Sequence, residues 1–152
     1  VNPDDPSFYN PSDMSVAIAD FCKKTGQTVP QDRGTFLRLV YESLALKHRF
    51  VNEQICAVSN TITKVVHIVG GGCKNITMNQ FVANAMGLPV YAGPEEATAV
   101  GNLMVQAMGL GIIKSMKDAL MIIKTAFPIT EYKPSDIQTW NKAYERFCRI
   151  LA

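Results

Sequence analysis

Apolar positions along the chain recur mostly at the three-to-four spacing of helices, interrupted twice by short β-branched runs. Met14, Ile18, Phe21 and Cys22 give one apolar face to a helix capped by Ser12 or Asp13 and stopped at Gly26. Before it, residues 1–13 follow neither period and are rich in Pro, Asp and Asn, which reads as loop. A longer stripe, Phe36, Val40, Leu44, Val51, Ile55 and Val58, predicts a helix over residues 34–60 capped by Asp32. Arg38, Glu42, Lys47, Arg49 and Glu53 lie largely off that stripe. At about 1.5 Å per residue this helix would be roughly 40 Å long, a backbone for other elements to pack on.

The β-branched run at residues 64–69 reads as a buried strand ending in three glycines. Residues 75–86 are helical, ended by Gly87 and Pro89, and residues 89–92 form a second strand. Residues 95–108 predict a helix of small and apolar residues; Ala97, Ala99 and Gly101 would let it press closely against the sheet or another helix. Ser115 can cap a helix reaching about Ala126. Ser135 or Asp136 can cap a last one carrying Ile137, Trp140, Tyr144, Phe147 and Ile150. Met78, Met86, Met104, Met108, Met116 and Met121 fall at helical spacings and read as core.

The predicted class is therefore helix-rich α/β with few parallel strands. The strand-helix-strand unit should be a right-handed parallel crossover. Two parallel strands make a poor sheet, since parallel sheets are normally wider and covered on both faces. Further strands are thus expected from upstream sequence or another chain. The start at Val1, followed by Pro3, Pro6 and Pro11, also reads as a linker entered from something upstream. A removed initiator or a chosen boundary would look the same. Neither an internal repeat nor a low-complexity segment is visible.

Composition narrows the function classes. Of 152 residues, 47% are hydrophobic and 18% charged, which argues for one globular domain over residues 1–152 and against disorder. A formal charge of +2 offers no dense basic patch, so neither nucleic acid nor a membrane is an expected partner. No charged n-region with an apolar run opens the chain, so no secretory signal is read. Cys22, Cys56, Cys73 and Cys148 form no CxxC pair and keep no ligand-like spacing to His48 or His67. A zinc site is not expected, and reduced thiols in a cytoplasmic protein are.

The candidate chemistry lies at the glycine turn. Gly70, Gly71 and Gly72 between a strand and a helix let a ligand approach the backbone and allow positive φ. The helix starting near Asn75 turns its free N–H groups and positive dipole end to the same place, which suits a nucleotide. Asn75 can cap that helix, contact a ligand, or both. A plain strand-to-helix turn with Asn75 as cap alone accounts for the motif at least as well.

A dinucleotide fingerprint is imitated by Gly70, Gly72 and Glu95. Asn75 replaces its third glycine, however, and Glu95 opens a helix, where an acid simply complements the dipole. His67 reads as a core or interface histidine. Cys73, with no histidine partner in sequence, reads as lining the site. No paired carboxylates and no Ser-His-Asp pattern stand out, so no catalytic residue is assigned.

The whole stretch HIVGGGCKNITMNQFVANAMGLPVYAGPEEATAVGNLMVQAMGLG resembles the C-terminal lobe of the FGGY carbohydrate kinases. Within that family it is most similar to the branch acting on L-rhamnulose, as are NPDDPSFYNPSDM and YESLALKHRF. The resemblance implies an actin-like, RNase H-like fold with ATP between two lobes. It implies transfer of the γ-phosphoryl group of ATP, with Mg, to the 1-hydroxyl of the sugar. Gly70, Gly71, Gly72 and Asn75 would then form the adenosine-side loop. The family's Asp-x-Gly phosphate motif, catalytic Asp and second phosphate hairpin are expected upstream, and none is read in this sequence. The chain alone is accordingly expected to be an inactive partial lobe.

Overall fold

A computed structural model describes residues 1–151. Its elements run α1 (Met14–Lys24), α2 (Arg33–Ser59), β1 (Val66–Ile68), α3 (Ile76–Met86), β2 (Val90–Ala92), α4 (Ala97–Gly109), α5 (Met116–Ala126), β3 (Thr130–Tyr132) and α6 (Ile137–Leu151). Four of the six described helices start at a side chain that takes orphan N–H groups, whereas α4 opens at Glu96 without a side-chain cap and Ser135, a candidate cap for α6, donates to Asn84 instead. Asp13, not Ser12, caps α1 through Ser15 and Val16; Asp32 and Thr35 form a reciprocal box at α2; Ser115 caps α5. An Asp-x-Gly string does occur, at Asp32–Gly34. Its carboxylate is committed to the N–H groups of Gly34 and Thr35 at 2.8 and 3.0 Å, so it serves as a helix cap.

The sheet departs from expectation. Three strands stand in the order β1-β2-β3, β1 parallel to β2 and β3 antiparallel to it. The third strand was not visible because three residues just after Pro128 carry no alternation and become a strand only by pairing with β2. The sheet is also one-sided. Val66, Val90 and Tyr132 share a row, and Val90 and Tyr132 are buried in the main core with Ala45, Leu46, Val82, Trp140 and Phe147. The adjacent row, His67, Tyr91 and Glu131, faces outward. His67 is exposed and stacks on Tyr91 at 5.7 Å, so it is not a core histidine, and β1 is not a buried strand.

Other expectations fail too, most of them because parts of the chain have little to pack on. Only the first half of the α2 stripe is covered, whereas Ile55 is 58% and Val58 91% exposed. Conversely, Lys47 and Arg49, read as off the stripe, keep only 19% and 22% of their side chains in solvent. Arg49 lies over the Tyr144 ring at 4.0 Å and donates to the Ala85 carbonyl and to Asn141. Helices α4 and α5 leave Leu103, Val105, Leu110, Met116, Leu120 and Met121 exposed, so those methionines are not core. A side chain added at Gly101 would meet nothing within 4 Å, so α4 makes no close approach there.

A candidate nucleotide loop at the ends of two parallel strands

Ligands of open α/β sheets collect beyond the carboxyl ends of parallel strands. Here both such ends lie together. After β1 the chain makes a 3-10 turn, Gly70–Lys74, then enters α3 through Asn75. After β2 it passes Gly93 and Pro94 and enters α4 through Glu96. Backbone bonds knit the two segments: Gly93 N–H donates to Ile68 at 2.8 Å, and Gly70 N–H donates to Pro94 at 3.1 Å. Above them Lys74 pairs with Glu95, which holds the Lys74 ammonium above its usual pKa. Glu95 lies one residue before the Glu96 N-cap position of α4, outside its first turn, and is engaged by Lys74 instead.

All four candidate residues come together in this turn, with different demands on each. Gly70 has φ +74°, a conformation that favours glycine. The positive φ anticipated for Gly71 and Gly72 is absent. A Cβ on Gly71 would meet nothing within 4 Å, and one on Gly72 would meet only the Ile68 side chain at an ordinary 3.5 Å. Both are exposed. Nothing in the chain itself requires glycine at these two positions; their effect is to leave the surface above the turn clear.

Asn75 does two jobs. Its Oδ1 accepts from Met78 N–H at 3.0 Å and caps α3, while its Nδ2 donates to the Tyr41 hydroxyl of α2 at 3.1 Å. The N–H groups of Ile76 and Thr77 carry no hydrogen bond among the described residues and remain at the positive end of α3. Replacing Asn75 with Ala removes both bonds; the expected loss is about 1–2 kcal/mol, most of it the cap. Urea unfolding checks it, and Tyr41→Phe, which removes only the second bond, should cost less than half as much.

Cys73 is half-buried and packs against the main core, so it supports the turn from below and does not face the open side. Sequence reasoning missed Asn79, wholly buried one turn further along α3, whose Nδ2 donates to the Cys73 carbonyl at 2.9 Å. The available signal was a polar residue at a core position amid Phe81, Val82 and Ala83. No group of three or more His, Cys, Asp or Glu side chains converges among the described residues. Among them, too, no helix is long and apolar enough to cross a membrane.

Comparison with known proteins bears on the family and the fold. The profile of the FGGY family of carbohydrate kinases, C-terminal domain, matches residues 1–110. Rhamnulokinase from Bacteroides thetaiotaomicron is 46% identical over 147 residues, 97% of this chain and 30% of that protein. Rhamnulokinase from Bacillus subtilis is 34% identical over 90% of this chain and 28% of that protein. The chain therefore spans under a third of the length of these curated relatives. Among solved structures, xylulose kinase from Rhodospirillum rubrum superposes with a TM-score of 0.62 at 21% identity, covering 82% of this chain and 25% of that one. Its likeness gives the fold, and the sequence matches give the family: this chain belongs to the FGGY family of carbohydrate kinases and corresponds to its C-terminal domain.

Proposed function

We propose that the turn Gly70–Asn75 binds the adenosine end of ATP in a sugar kinase acting on L-rhamnulose at its 1-hydroxyl. The observation that carries this reading is the clear surface over Gly71 and Gly72, where the chain itself has no use for glycine. The site adjoins the unpaired N–H groups that open α3, and the paired loops hold it at the carboxyl ends of β1 and β2. Adenosine there would rest on backbone, with Asn75 in reach as a polar contact.

On this reading the chain supplies one side of the cleft and none of the chemistry. Phosphoryl transfer needs a positioned nucleophile, charge stabilisation and a metal on the phosphates. The resemblance places magnesium on the phosphates of ATP, away from the adenosine end, so no step is assigned to that ion here. The bare row of His67, Tyr91 and Glu131 and the exposed apolar faces of α4 and α5 support an origin as part of a longer enzyme. So does the length of the rhamnulokinases it matches.

Titrating the full chain with ATP and following its backbone amides by NMR tests the site. Shifts confined to residues 70–77 and 93–96 are expected, whereas no shift in a folded chain would favour a non-catalytic scaffold module. Gly71→Ala should leave stability within about 0.5 kcal/mol, as at an open surface site, yet weaken ATP binding about tenfold by filling the approach. For the sugar, the chain joined to the upstream portion of its own enzyme should phosphorylate L-rhamnulose. Turnover of xylulose, fuculose or glycerol instead would move the assignment within the family.

A further inference from the structure

We propose that Asn79 is a positioning residue for the nucleotide turn, fixing from beneath the direction in which Gly71 and Gly72 present their backbone. The proposal rests on reading Gly70–Asn75 as a nucleotide site, and it adds a residue that touches no ligand.

Asn79 is fully buried on α3. Its backbone N–H donates to the Asn75 carbonyl at 2.9 Å, as the helix requires, but its side chain turns out of the helix ladder and back to the Cys73 carbonyl. The orientation of the amide is forced, because the reverse would set two carbonyl oxygens against each other. Its other atom, Oδ1, is buried without a hydrogen-bond partner. An unmatched buried acceptor is a standing penalty, and leucine would fill similar space among Val82, Ala83 and Phe81 without it. The amide is thus kept for its single bond to the turn.

That bond completes a set of anchors. Gly70 is tied to Pro94, Cys73 to Asn79, and Asn75 to Tyr41 and Met78. Gly71 and Gly72 lie between the first two anchors within the 3-10 turn, where the Gly72 carbonyl also accepts from Asn75 N–H at 3.1 Å, and nothing presses on them from above. Glycine has the widest backbone freedom, so their N–H directions depend on the anchors at each end. Loss of the Cys73 anchor would release one end of the pair while the helix below stayed formed.

Asn79→Asp and Asn79→Leu test this in the full chain. The introduced carboxyl is isosteric with the amide. Neutral, it donates an O–H to the Cys73 carbonyl; ionised, it opposes that carbonyl acceptor to acceptor. Burial raises its pKa, so the neutral form should persist at mildly acid pH. Amide shifts of Gly71, Gly72 and Cys73 in the ligand-free Asn79→Asp chain should match the parent at pH 5 and depart from it by pH 8. The parent's own shifts over that range, which include any effect of His67 three residues before Gly70, are the baseline for the comparison. The ATP affinity of the Asn79→Asp chain should fall about tenfold relative to the parent over the same interval, the worth of one hydrogen bond. Asn79→Leu should fold, broaden the same amides at every pH and bind ATP about tenfold more weakly. Turn amides and ATP affinity unchanged in Asn79→Leu would overturn the proposal, as would a folded Asn79→Asp chain whose carboxyl ionises within this range while the turn amides stay at the parent's positions. A parent chain that binds no ATP would refute the nucleotide reading alone; the ligand-free shifts still decide whether Asn79 holds the turn.

Discussion

Gly93→Ala is expected to destabilise the chain by about 3 kcal/mol, the sum of backbone strain and a steric conflict, each worth roughly 1–3 kcal/mol. Gly93 is buried at the end of β2 with φ +122°, a region open essentially to glycine alone. A Cβ there would stand 2.7 Å from the Pro128 carbonyl oxygen and 3.6 Å from the Ile129 Cα. Both neighbours are backbone, so no side chain can swing aside. Either the segment leading into β3 shifts or β2 does, and Gly93 also donates to Ile68, joining β1 to the same point. For a chain of this length the loss corresponds to a fall in Tm of roughly 6–12 °C, measured by circular dichroism. An unchanged Tm would mean that β3 does not lie where it is described. The contrast with Gly71→Ala separates a glycine the fold needs from one that only a ligand would.

That contrast also shows where the sequence was readable. Helix starts were legible because capping is local: Asp13, Asp32, Asn75 and Ser115 each take the N–H groups their position predicts. Strand β3 was not, because its register depends on Val90, Tyr91 and Ala92 some forty residues earlier in the chain. For β1 the signal was present but overridden. Val66, His67 and Ile68 alternate apolar, polar, apolar, the pattern of a strand covered on one face, while the β-branched run around them suggested two. The glycine turn was located correctly, yet its three glycines looked equivalent. Only the backbone angles and the space above each separate Gly70, which serves the turn, from Gly71 and Gly72, which leave it open. The anchors beneath it, Asn79 and Tyr41, come from positions whose relation to the turn is set by tertiary packing of α2 on α3.

Trp140→Ala is expected to cost about 4 kcal/mol, within the range for truncating a core tryptophan. Helix α6 carries its apolar residues on one side, and Trp140, Tyr144 and Phe147 are all buried against α2 and α3. Trp140 meets Phe81 of α3 edge-on at 5.2 Å, a geometry that adds to simple burial. Next to it, Tyr144 donates to Glu53 and lies under the Arg49 guanidinium, so α6 is held to α2 by a polar network as well. That network limits how far α6 can move inward to refill the space, which keeps the cost near the cavity-bearing end of the range. Trp140→Phe, which retains most of the ring contact, should cost less than half as much. Urea unfolding followed by far-UV circular dichroism reads both, since Trp140 is the only tryptophan and its fluorescence is lost with it. A domain of this size has only about 5–15 kcal/mol to lose, so the alanine variant should populate unfolded chains near body temperature. The folded fraction should still give the parent's ATP shifts, because Trp140 packs on the middle of α3 and the turn sits at its N-terminus. A variant that kept full stability would show that α6 does not close the core, whereas one that kept stability but lost ATP binding would show that the site extends to α6.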